Sequence, residues 1–198
     1  DTTVKVAPNT LYALEIRTRD GKVLTAQTLT PGRIVWTKPP RDTVAIPAKT
    51  DPAFLQPPDS FDLAWTEVPG TQEFLISVRS LDTLNYGKYL PSPVERANRR
   101  ITSSFDNQDP RYNDQSRWGF LIGLRTPIVW SAFKWYGKQD VTIWAADPAM
   151  VNWFKMTYWT GNAQYDPLLA NVKGEGGLGI FGSAAVATKE IFVLMPEG

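Results

Sequence analysis

The chain has 198 residues, a formal net charge of +1, 42% hydrophobic and 21% charged residues. This suits one large β domain or two small ones with a real core, globular rather than disordered. With no Cys and no His, the chain cannot build a Ser-His-Asp or Cys-His centre, a Cys/His zinc site, an iron–sulfur cluster, ordinary haem ligation or a disulfide. The near-neutral charge gives no broad basic face, so nucleic acid is not an expected partner.

No apolar run reaches the roughly 18–20 residues of a membrane-spanning helix. The chain begins at Asp1 without Met, which reads as a removed leader or a trimmed start; a removed leader implies export. The 8 Trp, 7 Tyr and 9 Phe, punctuated by 14 Gly and 16 Pro, favour strands joined by turns.

Leu11 to Thr18 and Lys22 to Leu29 are strand-like runs joined by Asp20-Gly21. Asp-Gly between such runs marks a hairpin, because the turn needs positive φ. Tyr12, Leu14 and Ile16 share one face, and Ala13, Glu15 and Arg17 the other, so the hairpin covers a core on one side only. Residues 37–58 hold Pro39, Pro40, Pro47, Pro52, Pro57 and Pro58 and read as a linker or crossover. The expected division is therefore 1–58, a hairpin arm or partial sandwich plus linker, and 59–198, the main domain.

Ser60 to Trp65 alternates, with Phe61, Leu63 and Trp65 inward and Asp62 and Ala64 outward. Val68-Pro69-Gly70 is a turn, and Glu73 to Arg79 is a strand with Phe74, Ile76 and Val78 on one face. This layout resembles the first strands of fibronectin-type-III-like sandwiches, where a Trp packs between two sheets. A short helix is expected at 93–99, with Ser92 as N-cap, Pro93 first and Glu95 completing a capping box. Residues 103–117 read as an exposed loop.

Strands resume at Trp118–Leu124, Ile128–Trp135 and Asp140–Ala145. Asp147-Pro148 then opens a helix at about 148–159, with Met150, Trp153, Phe154, Thr157 and Tyr158 on one face and Gly161-Asn162 ending it. Gly174–Gly182 reads as a tight turn feeding a strand, with Phe181 plugging the core. It is not a phosphate loop, since no Gly-Lys-Ser/Thr follows. Glu190–Met195 closes the fold. The expected class is mainly β: an immunoglobulin/fibronectin-III-like sandwich with one or two short helices.

From Val141 to Gly182 the order is a strand (VTIWAAD), a helix (PAMVNWFKMTYW), a polar loop and NVKGEGGLGIFG. This resembles the C-terminal signature of a family of unknown function among Bacteroidota-type envelope lipoproteins, often encoded beside TonB-dependent outer-membrane receptors. LYALEIRTRDGKVLTAQTLTP and FDLAWTEVPGTQEFLISV are similar to its N-terminal hairpin and central strands. Several strands precede the hairpin in that family and only ten residues do here, which implies a shortened relative or one that borrows strands from a partner. The family has no established catalytic residues. The resemblance implies an extracytoplasmic protein, periplasmic or at the cell surface, lipid-anchored in one form, acting as accessory or scaffolding subunit of a membrane protein complex or outer-membrane receptor.

Four residue groups bear on chemistry. Asp106, Asn107, Asp109 and Asp114 offer oxygens for Ca²⁺, but Pro110 interrupts them and the spacing is not that of an EF-hand, so a solvated loop is the ordinary reading. Asp62, Glu67, Glu73 and Asp140 are the carboxylates available to a glycosidase-type pair; no pair is assigned, and no catalytic residue or cofactor is expected. Trp65, Trp118, Trp144 and Trp153 occupy core-like positions. Trp130 and Trp135 have opposite parity within Ile128–Tyr136, so one is expected to face out. These two, Trp36 at the linker edge and Trp159 at the helix end are the surface candidates, for a protein interface or, alternatively, a glycan-binding platform. Arg96, Arg99 and Arg100 form a small basic cluster, solvated by default and otherwise suited to an acidic partner or anionic lipid.

Overall fold

The structure, a computed structural model, describes residues 5–81, 101, 115–159 and 170–195, with the side chains of 115–117, 120 and 156–159 left outside the description. Among the described residues the fold is mainly β with two short helices.

β1 (Leu11–Arg17) and β2 (Val23–Leu29) form the expected hairpin, with Leu11 opposite Leu29 and Arg17 opposite Val23. Gly21 turns it at φ +85°, and Thr18 N–H donates to the Lys22 carbonyl at 2.9 Å. Ala26 and Thr28 are buried and Tyr12 and Leu14 half-buried, while Ala13, Glu15 and Arg17 are exposed. One face is thus covered, as the alternation predicts.

Of the two readings of the Pro-rich stretch, the crossover holds, since the stretch passes from one sheet to the other. It carries β3 (Trp36–Lys38), β4 (Thr43–Ala45) and α1 (Pro52–Leu55). Asp51 caps α1, accepting the Ala53 N–H at 2.8 Å, and Pro52 sits where no N–H is needed. The prolines fall between the strands rather than within them, which is why the ladders survive.

β5 (Leu63–Trp65) follows a 3₁₀ turn at Asp59–Phe61. Asp62, expected outward, is buried and accepts a hydrogen bond from Arg125. β6 (Glu73–Ser80) is buried on both faces from Phe74 to Val78, as a central strand should be. β7 (Gln115–Ile122) starts inside the stretch expected to be loop, and β8 (Arg125–Thr126) follows.

The expected strand Ile128–Trp135 is instead a 3₁₀ turn at Trp130–Ala132, closed by Phe133 N–H on the Trp130 carbonyl at 3.1 Å. A short, largely apolar run carries no period that separates strand from turn. β9 (Gly137–Ala146), α2 (Pro148–Trp159) and β10 (Ala184–Leu194) complete the chain. α2 has its expected bounds; β10 begins well before the expected Glu190. The helix expected at 93–99 lies outside the described residues.

The five-stranded sheet has the order β4-β10-β9-β6-β7, with β4 parallel to β10, and the three-stranded sheet the order β3-β5-β8. Strands consecutive in sequence, β5 and β6, fall in different sheets, which is the immunoglobulin/fibronectin-III-like arrangement.

The chain divides into two compact units. One comprises Asp1–Ile34, Glu67–Phe74 and Trp144–Val186; the other comprises Val35–Thr66, Leu75–Ile143 and Ala187–Gly198. The division differs from the expected boundary at residue 58, because β3 pairs with β5 and β4 with β10, which ties residues 35–58 to the sandwich. The second unit's core includes Leu63, Trp65, Ile76, Val78, Trp130, Phe133, Trp135, Ile143 and Val193, each at most 2% exposed. Each such side chain contributes roughly 1.5–3 kcal/mol of burial. Its buried polar residue Gln139 is satisfied by Ser80 Oγ at 2.6 Å and the Trp135 carbonyl at 2.9 Å. The first unit buries Ile34, Val68, Phe74, Ala145, Val151 and Phe154.

Candidate functional site

Within the first unit, Asp147 organises the start of α2. Its Oδ1 accepts the Met150 N–H at 2.7 Å, its carbonyl accepts the Val151 N–H at 2.9 Å, and its own N–H donates to the Ser183 carbonyl at 2.9 Å. Its Oδ2 accepts the Thr28 hydroxyl, which also lies 2.7 Å from Ser183 Oγ. Asp147 and Thr28 are both buried. One capping carboxylate thus joins the hairpin, the helix and the lead into β10. Both its oxygens are engaged by neighbouring elements of the fold.

The Gly-rich segment approaches those elements closely. Asn171 accepts the Phe181 N–H and donates to the Phe181 carbonyl, both at 2.8 Å, and donates to the Gln27 carbonyl at 3.2 Å. Thr25 and Lys173 exchange both backbone hydrogen bonds, at 2.9 and 2.8 Å. A Cβ on Gly182 would lie 3.0 Å from the Met150 nitrogen and 3.1 Å from Asp147 Oδ1, so only glycine lets this strand lead pass the helix start without displacement.

A recess of about 350 Å³ opens beside α2, lined by Met150, Trp153, Gly179, Ile180, Phe181 and Gly182. Val151 and Phe154 form the buried side of the helix, whereas Trp153 is 38% exposed. Trp153 was expected in the core; instead it packs its ring 5.1 Å from that of Phe154 and faces the opening. Phe181, expected to plug the core, is half-buried and lines the recess. None of the described lining side chains carries a carboxylate, amide or hydroxyl. A second recess, about 450 Å³, is lined by hairpin residues with Asn171 and Lys173.

The expected surface tryptophans are not gathered in one place. Trp130 and Trp135 are each 1% exposed, so neither faces out: opposite parity separates two faces only in a strand, and these residues form a 3₁₀ turn and its exit. Trp130 donates to the Ala53 carbonyl at 3.1 Å and meets Phe61 edge-on at 5.2 Å. Trp36 is half-buried and T-stacked on Trp65 at 6.2 Å, with no hydrogen-bond partner for Nε1 among the described residues. Trp159 ends α2, its side chain outside the description. Arg96, Arg99, Arg100, Asp106, Asp109 and Asp114 lie outside the described residues, among which no group of three potential metal ligands occurs.

Two of the four carboxylates considered for hydrolysis are held in ion pairs. Asp62 pairs with Arg125, holding that guanidinium above its ordinary value. Glu73 pairs with Lys155 at 2.6 Å. Asp140 has its carboxyl raised by burial and by Glu190, and Glu67 is exposed. Among the described residues no helix is long and apolar enough to cross a membrane. No family model, curated protein or solved structure matches the chain.

Proposed function

We propose that the protein is a non-enzymatic accessory or scaffolding subunit of a membrane protein complex at the cell envelope, binding its partner through the recess beside α2. The carrying observation is that recess: an exposed Trp, a half-buried Phe, Met150 and Ile180 around a concave opening. Such a surface suits an apolar side chain of a partner protein, and Trp is enriched where interfaces carry their binding energy. The envelope setting rests on the resemblance carried by residues 141–182. Gentle purification from native membranes, with mass spectrometry of co-purifying proteins, tests the reading. A membrane protein at fixed stoichiometry, lost on Trp153→Ala, is the expected result; recovery of the chain alone ends it.

The exposed Trp153 also supports a second reading, a glycan-binding module that stacks a sugar ring on the indole. Sugar sites usually combine the platform with carboxylates, amides or hydroxyls, and the described lining carries none of these, which favours the protein partner. Tryptophan fluorescence across an oligosaccharide panel separates the two: a saturable change abolished by Trp153→Phe favours glycan, and a flat response rules it out.

A further inference from the structure

The described edge strands differ sharply in how open they are to further pairing. β4 has three residues and β8 two; β3 has three and shifts register between Trp36 and Lys38; β7 carries Gly119 at φ +107°. Short, bulged or kinked edges prevent sheets from pairing with neighbours. β1 has none of these devices: its seven residues pair with β2 in unbroken register, without Pro or Gly. Among the described residues β1 has no other neighbour, whereas the outer side of β2 is engaged where Thr25 meets Lys173.

The phase of the ladder shows what that edge presents. Thr18 N–H bonds the Lys22 carbonyl and Thr30 N–H bonds the Thr10 carbonyl, so even-numbered residues of β1 turn their polar groups toward β2. Leu11, Ala13, Glu15 and Arg17 therefore direct N–H and C=O to the open side. The side chains of Glu15 and Arg17 are 53% and 75% exposed and pair with each other within the chain at 2.8 Å, so a second strand would draw on the same two charges. An added antiparallel strand should set a base opposite Glu15 and an acid opposite Arg17. In its own N-to-C direction that strand reads acid, any residue, base. β1 contains this pattern itself, as Glu15-Ile16-Arg17.

We propose that two copies of the chain dimerise by antiparallel pairing of residues 15–17 of their β1 edges about a two-fold axis at Ile16. Each Glu15 then lies opposite Arg17 of the other copy, and each such pair exchanges both backbone hydrogen bonds. Ile16, 42% exposed in one copy, meets its counterpart on the axis. The interface is isologous, so it closes at two copies rather than propagating.

Sedimentation equilibrium of the full chain, with Glu15→Arg and Arg17→Glu each made singly, tests this. The parent is expected to be dimeric. Either variant sets like charges opposite each other in both pairs and raises the dimer dissociation constant roughly tenfold or more. An equimolar mixture of the two variants restores dimers, because one brings two bases and the other two acids. Far-UV circular dichroism checks that the variants fold. A monomeric parent overturns the proposal, as does a dimer that neither variant weakens or a mixture that recovers nothing.

Discussion

Asn171 grips both backbone polar groups of Phe181 with its side-chain amide, at 2.8 Å each, much as a neighbouring strand would. A single side chain thus replaces a ladder rung and holds the Gly-rich segment against the hairpin. Asn171→Ala leaves the Phe181 N–H and C=O unpaired in a half-buried setting, at a cost of about 1–3 kcal/mol. Asn171→Asp keeps the accepted bond and loses both donated ones, so it should not restore parental stability. Urea unfolding measures the loss, and hydrogen exchange at the Phe181 amide locates it.

Asp147 serves two partners, and the two contributions are separable. Asp147→Ala removes an N-cap, worth about 1 kcal/mol, and strips a buried hydroxyl of its acceptor, for about 2 kcal/mol or more in total. Thr28→Val removes the donor to Asp147 together with the 2.7 Å contact to Ser183 Oγ. Because both substitutions break the same Thr28–Asp147 bond, the double variant should be less destabilised than the two single losses added together. Additive losses in a denaturation cycle would show that the hydroxyl and the carboxylate act independently.

Local chemistry was legible wherever the signal was short-range. Asp20-Gly21 announces the hairpin, Asp147-Pro148 fixes the start of α2, and alternation orients β1. The misreadings have a common origin in partners far along the chain. β3 and β4 are three-residue strands among prolines, visible only once β5 and β10 are present to pair with them. Asp62 looks outward by alternation, yet Arg125, distant in sequence, draws it in. Ala184-Ala185-Val186-Ala187-Thr188 has weak strand propensity and extends β10 through pairing rather than preference. Helical spacing points Trp153 to the core, but Val151 and Phe154 take that side; Trp153 instead borders a recess with residues 179–182, which no window around α2 contains.

The glycines at 174 and 176 make a controlled comparison. Both have positive φ, +130° and +73°. A Cβ on Gly176 meets nothing within 4 Å, whereas one on Gly174 would lie 2.4 Å from the Val23 carbonyl oxygen. Gly176→Ala should therefore cost about 1–2 kcal/mol, the ordinary left-handed penalty. Gly174→Ala adds a backbone collision and must displace residue 174 from β2, so its loss should be clearly the larger. Equal midpoint shifts in urea for the two variants would mean that the segment adjusts without resistance.

Asp140 on β9 supplies the pH dependence. Burial raises its carboxyl above the ordinary carboxylate value of 3.8 and Glu190 adds to the rise, while Arg79 and Lys138 oppose it. The folded chain therefore holds this proton more tightly than the unfolded chain does, and ionising it opposes folding at neutral pH. The penalty shrinks as pH falls through the raised folded value and is gone below the unfolded value. Asp140→Asn, which keeps the shape and removes the charge, should thus stabilise the protein at about pH 7 and have no effect near pH 3. Glu190→Gln should bring the Asp140 carboxyl closer to its ordinary value, although it also breaks the 2.6 Å ion pair with Lys138. Denaturation curves of parent and Asp140→Asn across this range check the sign. If they differ by the same amount at every pH, the effect of the substitution is packing and not charge.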